Sequence, residues 1–457
     1  MTAIIPMASA PTASWGSLDA AIDGELILPD DPGYAAARHV WNGMIDRYPA
    51  AIARCRTTAD VTAAVRFAVT QDLEIAVRGG GHNAAGLATV DGGLVIDLSS
   101  MNGVVVDPVN RVARAGGGAT WGDFDTATQA HGLATTGGAV ATTGVAGLTL
   151  GGGVGFLMRQ FGLACDNLIA AEVVLADGTV VTTSETERPE LLWGLRGGGG
   201  NFGIVTEFTF RLHPVDGMYA GLILHSREGA SAGLRAYREQ TALAPDNLTT
   251  FFALMSAPDG TPVFAFLPAY IGDAAAGEAA VAGYRAFGEP MADMVAPMSY
   301  VALQGMLGEG FPAGQNVYWT AHFLSELTDE AIDLLVASAN AAPSPLNIVL
   351  LEQLGGAVAR VGEDATAFAH RDAAFNLAII ARWLDPAEAE ANIAWARGLW
   401  QATQRFARGA YVNYLGVGDG PERVRAAYRP ETYGKLVALK RDYDPDNVFH
   451  RNQNIAP

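Results

Sequence analysis

Three glycine clusters between residues 79 and 203 constrain this chain more than any other feature. They are Gly79-Gly80-Gly81, the stretch from Gly144 to Gly155, and Gly197 to Gly200 followed by Gly203. Glycine has no Cβ, so runs of it let backbone N–H groups crowd round a diphosphate. Tight turns alone would account for one such cluster. Three of them, the first running into His82, point to a nucleotide cradle. Gly198, Gly200 and Gly203 spell a formal G-x-G-x-x-G. A Rossmann fingerprint needs a strand before it and a helix after it. Here a helical run precedes and a β run follows, so the site is expected to be of another kind.

A chain of 457 residues exceeds one ordinary domain and predicts two or three lobes. Half of its residues are apolar and 17% are charged, enough to bury a large core. The net charge of −19 argues against nucleic acid and anionic membrane surfaces, and fits a neutral or cationic small-molecule substrate. Cys55 and Cys165 make neither a disulfide framework nor a metal site, and no metal is expected. No Lys or Arg precedes Arg38, and no apolar run approaches the ~18 residues of a membrane span. These features together predict a cytoplasmic protein.

Residues 1–20 read as a loose tail. Residues 59–72 carry apolar side chains at helical spacing behind Asp60, and 121–132 read as a helix ending at a glycine. Short β runs lie at 74–78, 94–98, 103–107 and 111–116, and 170–181 is a hairpin with an Asp-Gly turn. ERPELLWGLRG (187–197) reads as a helix and IVTEFTFRLHP (204–214) as a strand. Past residue 215 the texture changes to long strands (219–226, 249–256, 262–271, 345–356, 374–385) and long helices (277–288, 329–342, 390–407). Such segregation predicts an α+β lobe.

R-G-G-G-H-N at 78–83, GLTLGGGVGFLMRQFGLACDN at 147–167, ELLWGLRGGGGNFGIVTEF at 190–208 and the tail D-P-D-N-V-F-x-x-N-Q-N-I carry a resemblance. They look like the berberine-bridge-enzyme-like branch of the vanillyl-alcohol-oxidase-type flavoproteins, over nearly the whole chain. The opening, residues 24–55, is also similar to the bacterial 6-hydroxynicotine oxidase group of that family. The resemblance implies an α+β fold. A two-part FAD-binding domain (21–215 and 411–457) would enclose an inserted substrate domain (216–410), an antiparallel sheet covered by helices.

The resemblance also implies FAD bonded to His82, through the 8α-methyl carbon of the flavin. Arg78, Gly79, Gly80, Gly81, Asn83 and Gly86 would surround that link. Thr143, Gly144, Gly147, Gly151, Gly152 and Gly155 would line a second loop. Gly203, Ile204, Val205, Asn452 and Gln453 would complete the cofactor site. Some members add a second bond through a Cys in G-x-C-P-T-x-G; Val140 stands there, so a single bond is expected. Cys165 reads as a buried structural thiol. Thr143 occupies the position associated with oxygen access, where a Val-sized residue goes with oxidases.

Hydride loss from an alcohol or amine needs a base for the O–H or N–H proton. Tyr411-Val412-Asn413-Tyr414 resembles the family's Y-x-N-Y, with Tyr414 as base and Tyr411 shaping the pocket. A free phenol has a pKa near ~10, so Tyr414 would need a positive charge or a donor beside it. Tyr411 and Tyr414 do not share one face of a regular strand. The 6-hydroxynicotine oxidase group lacks this tyrosine pair, which sets the substrate apart from a nicotine type. Trp319, His322, Gln353 and His370 are candidate pocket residues, and Glu352 and His322 are the next candidates for a base. The expected activity is FAD-dependent oxidation of a small alcohol, amine, sugar or secondary metabolite, with O2 as acceptor. The alternatives are a dehydrogenase using another acceptor and a flavin-binding protein without turnover.

Overall fold

The computed structural model describes residues 14–457. The tail reading of residues 1–13 lies outside the described residues. Its remainder is corrected: Trp15–Asp19 is a short helix. Trp15 and Leu18 lie three residues apart and so share a face. Leu18 is buried and Trp15 packs on Phe67 of the helix Thr58–Thr70, ring centroids 5.3 Å apart.

The helices Thr58–Thr70 and Trp121–Gln129 begin with one device. Thr57 and Thr120 accept from the third helical N–H, while Asp60 and Asp123 accept from the cap's own N–H. The second helix stops at Gln129, and Gly132 turns the chain beyond it. Leu168–Val174 and Val180–Ser184 form the hairpin, with Asp177 accepting from Thr179 N across the Asp-Gly turn.

Two smaller sheets carry the glycine loops. One places Ala51–Arg54, Leu94–Asp97 and Ile75–Arg78 in parallel, with Glu25–Ile27 antiparallel at its edge. The other is antiparallel, built from 104–107, 112–116, 204–211, 168–174 and 180–184. The third glycine cluster lies between the helix Pro189–Leu195 and the strand Ile204–Arg211, the reverse of a Rossmann turn.

A nine-stranded antiparallel sheet follows, from strands between Met218 and Trp383. Its long strands run in the order Pro262–Ile271, Leu248–Ser256, Ile348–Gln353, Phe375–Trp383, with Asn316–Leu324 at the edge. Alternation along Phe375–Trp383 explains why every residue of that strand is buried. Leu377, Ile379 and Trp383 pack in the core that Tyr237, Ile332 and Leu399 of the covering helices share. Ala378 and Ile380 point the other way. The single strand expected at 219–226 is broken into Met218–Ala220 and Ile223–Ser226. Gly221 between them has φ +151°, and a Cβ there would stand 2.3 Å from the carbonyl oxygen of Met294.

The chain end is locked beneath the third glycine cluster. Buried Lys440 donates to Asp444 and to the carbonyls of Asn201 and Phe449. Asn201 accepts from Ile455 N and donates to Gln453 O. No helix among the described residues is long and apolar enough to cross a membrane.

Candidate active site

The glycine loops and the large sheet enclose one cavity of about 950 Å³. At its lower end it is lined by Gly79 to Asn83, by Thr143, Gly144, Gly147 and Gly151, and by Gly203 to Val205. Asn452 and Gln453 of the tail close that end. The first two loops touch backbone to backbone: a Cβ on Gly80 would stand 2.4 Å from Gly144 N. His82 lies against Trp41, ring centroids 5.0 Å apart and 18° from parallel. Burial lowers the His82 pKa to about 4, so its imidazole is neutral at pH 7.

The upper end is walled by the large sheet. Tyr414 enters from a single 3-10 turn, Val412–Tyr414. In that geometry residues three apart eclipse, so Tyr411 and Tyr414 meet, ring centroids 4.8 Å apart. The strand in which they diverged does not exist. The Tyr411 hydroxyl accepts from Gly153 N (2.9 Å), Val154 N (3.2 Å) and Asn413 Nδ2 (2.9 Å). It holds the second glycine loop and does not line the cavity.

Tyr414 does line it, and donates to Glu352 Oε1 at 3.1 Å. The neighbour expected to lower its pKa was a cation or donor. Instead burial, with the Glu352 carboxylate and Tyr411 beside it, pushes the Tyr414 phenol well above 10. Glu352 pairs in register with Asn376 of the next strand, whose Nδ2 donates to Oε2. Burial raises Glu352 to about 7, against the hydrogen bonds from Asn376 and Tyr414. The result is a buried carboxylate that titrates near neutrality, one hydrogen bond from a phenol at the cavity wall.

Residues 49–184 match the FAD binding domain family, and residues 410–456 match the family described as berberine and berberine like. The chain is 35% identical to (R)-6-hydroxynicotine oxidase of Paenarthrobacter nicotinovorans, covering 95% of this chain and 97% of that one. It belongs to the berberine-bridge-enzyme-like family of FAD-linked oxidoreductases. The solved 6-hydroxy-D-nicotine oxidase from Arthrobacter nicotinovorans superposes with a TM-score of 0.87 at 33% identity, over 95% of this chain and 98% of that one. Glucooligosaccharide oxidase from Acremonium strictum, an enzyme with a 6-S-cysteinyl, 8α-N1-histidyl FAD, gives 0.87 at 27% identity over 98% and 99%. The α+β flavoprotein fold expected from the sequence is the fold observed, and the protein is an FAD-dependent oxidoreductase.

The cradle suits FAD. A Cβ on Gly147 or Gly200 would meet no protein atom within 4 Å, and both residues line the cavity. Bare backbone there presents N–H groups to a diphosphate. Ile75, Val77 and Leu98 offer apolar surface beside it.

Other expected contacts are corrected. Arg78 donates to Asp97 and to the carbonyls of Ala37 and His39, tying strands together behind the loop. Gly86, Gly152 and Gly155 lie against Ile45, Phe368 and the Gly137 carbonyl, outside the cavity lining. Gln353 follows Glu352 in a strand and so points to the opposite face. There it accepts from Thr250 N and donates to Thr241 O. His322 likewise faces away, stacked on Trp400 and bonded to its carbonyl. His370 is bonded to Ala426 O at a turn. Trp319 lines the cavity and packs on Tyr414, centroids 4.7 Å apart. Cys165 is buried, and burial raises its thiol well above 9. Asn376 and Arg382 carried no motif. Their signal was composition: a charged or amide side chain inside an apolar strand run such as 375–383 needs a partner.

Proposed function

We propose that this protein is an oxidase of a small alcohol or amine on an apolar body, with FAD held by a single bond to His82. The observation that carries this reading is the Tyr414–Glu352 pair, which faces a cavity continuous with the glycine cradle. Bound FAD supplies the acceptor for the hydride leaving the substrate carbon. The substrate hydroxyl or amine proton passes to the Tyr414 oxygen as the phenol proton passes to Glu352. A free phenolate, costly at this site, is never required. Asn376 fixes the far oxygen of Glu352 and aims the near one at Tyr414.

Leu222, Phe251, Met255, Leu267, Met306 and Ile380 wall the upper cavity. Such walls favour an apolar substrate body over a sugar, whose hydroxyls need partners. A neutral His82 imidazole keeps a ring nitrogen lone pair for the bond to the flavin methyl carbon. Val140 lines the cavity where a second link would need a Cys. Thr143, no larger than Val, lines the cavity beside Gly144 and leaves room for O2.

Residues 21–215 and 411–457 form the FAD-binding part in this reading, and residues 216–410 the substrate part. The Lys440 anchor, which ties the chain end to Asn201, supports that division. The unpaired buried thiols of Cys55 and Cys165 fit a cytoplasmic location. The test is anaerobic titration of the purified flavoprotein with a panel of alcohols and amines, followed by admission of air. Bleaching of the flavin by a panel member, and rapid recovery in air, is expected. Bleaching without recovery makes it a dehydrogenase, and no bleaching by any alcohol or amine overturns the reading.

A further inference from the structure

Four arginines are buried among the described residues: Arg78, Arg159, Arg371 and Arg382. Three are held by protein acceptors. Arg78 holds Asp97, Arg371 holds Asp166, and Arg159 donates to the carbonyls of Leu248, Ala244 and Leu354. Arg382 is different. It is 5% exposed and lines the cavity, yet its guanidinium makes one side-chain hydrogen bond, from Nε to Gln315 Oε1 at 3.2 Å. Its central carbon lies 4.5 Å from the centroid of the Phe311 ring. Among the described residues, no acceptor meets its two terminal amino groups. Burial lowers its pKa to about 10, so it stays charged at pH 7. A buried cation left unpaired is costly.

Position adds to this. Glu352 pairs in register with Asn376, and Arg382 lies further along the same strand. Asn376 and Arg382 share a face, and their backbones lie roughly 20 Å apart at about 3.3 Å per residue. Between them the wall is Ile380, Ile348 and Leu350. The chamber therefore has a proton-accepting pair at one end, apolar sides, and an unpaired guanidinium at the other. The other arginine on the cavity, Arg451, is paired with Glu74.

We infer that Arg382 is a specificity-determining residue that receives the carboxylate of a substrate whose apolar body fills the chamber towards Tyr414. This deepens the proposed function and rests on it. A planar guanidinium with both terminal groups free presents two N–H donors to a carboxylate. One isolated cation matches a singly charged group. The net charge of −19 points to neutral or cationic ligands in general. Arg382 is a local exception within the chamber.

Binding tests this without turnover. Calorimetry on the flavin-loaded protein compares 6-phenylhexanoate with its amide, 6-phenylhexanamide. Wild type should bind the acid about 10- to 100-fold tighter, the span of a hydrogen bond to a charged group. Arg382→Met should abolish that preference and leave amide affinity within about threefold. Arg382→Lys, which keeps charge without the fork, should retain part of it. Equal affinities in wild type, no binding of the acid at millimolar concentration, or a preference that survives in Arg382→Met would each overturn the inference. Should Arg382→Met fail to fold, wild type and Arg382→Lys decide by the same comparison. Flavin reduction by 8-hydroxyoctanoate and 1-octanol is read separately. A flavin that no alcohol or amine reduces would count against the proposed oxidase while leaving the binding comparison intact.

Discussion

Replacing Glu352 by Gln separates the chemistry of the site from its stability, because the two should move in opposite directions. The shape is kept, and Tyr414 can still donate to the amide oxygen. Asn376 would then face an amide N–H, but its own Oδ1 is buried without a partner, so a flip of that amide supplies the acceptor. What is lost is a site for the proton. The rate of flavin reduction should fall by about 10²–10⁴, the span of one acid–base group. In wild type only ionised Glu352 accepts a proton, so the rate should rise with pH to a plateau above about 7, and the variant should lose that limb.

Stability runs the other way. Raising a carboxyl from 4.5 to about 7 means the folded protein binds a proton more tightly than the unfolded chain does. Below pH 4.5 both states are protonated and nothing is lost. Above pH 7 the full penalty applies, about 3 kcal/mol at about 1.4 kcal/mol per pH unit. Glu352→Gln should therefore match wild type near pH 4.5 and gain stability as pH rises to 8, by roughly a few °C in Tm for a chain of this size. Anaerobic stopped-flow reduction and thermal melts across pH measure both. A variant with an unchanged rate, or one no more stable than wild type at pH 8, would refute the reasoning.

Tyr414→Phe removes the hydroxyl at the cavity wall and should slow flavin reduction by about 10²–10⁴ in the same stopped-flow assay, with little change in substrate affinity. Tyr411→Phe strips the acceptor from Gly153 N and Val154 N. It should cost mainly stability, about 1–3 kcal/mol by denaturant melts, and less in rate. Acid precipitation of wild type should give a yellow pellet; His82→Ala should release its FAD to the supernatant, and a colourless wild-type pellet would sink the covalent bond. Gly144→Ala places a methyl 2.5 Å from Gly80 N. It should force the two loops apart and yield protein with reduced flavin content, read as the ratio of visible to ultraviolet absorbance.

The sequence by itself determined the elements and the cradle. Glycine clusters, the Asp-Gly hairpin and Asp60 at a helix start act through their nearest neighbours, so a linear reading reaches them. For the same reason Gly79 to Asn83, Gly144, Gly147 and Gly203 were readable as residues that line the cavity. Only the tertiary structure decided what faces them. Glu352 and Gln353 are neighbours in the chain, and strand alternation sends one to the cavity and the other to the helices. Tyr411 and Tyr414 meet because their segment is a 3-10 turn, and their neighbour is a carboxylate brought from residue 352. Arg382 reads like any other strand residue until Phe311 and Gln315, far away in the chain, pack against it and, among the described residues, no acceptor meets its terminal amino groups. Local geometry is written in local sequence. The surroundings of a charge come from segments far apart in the chain, and no short-range pattern records them.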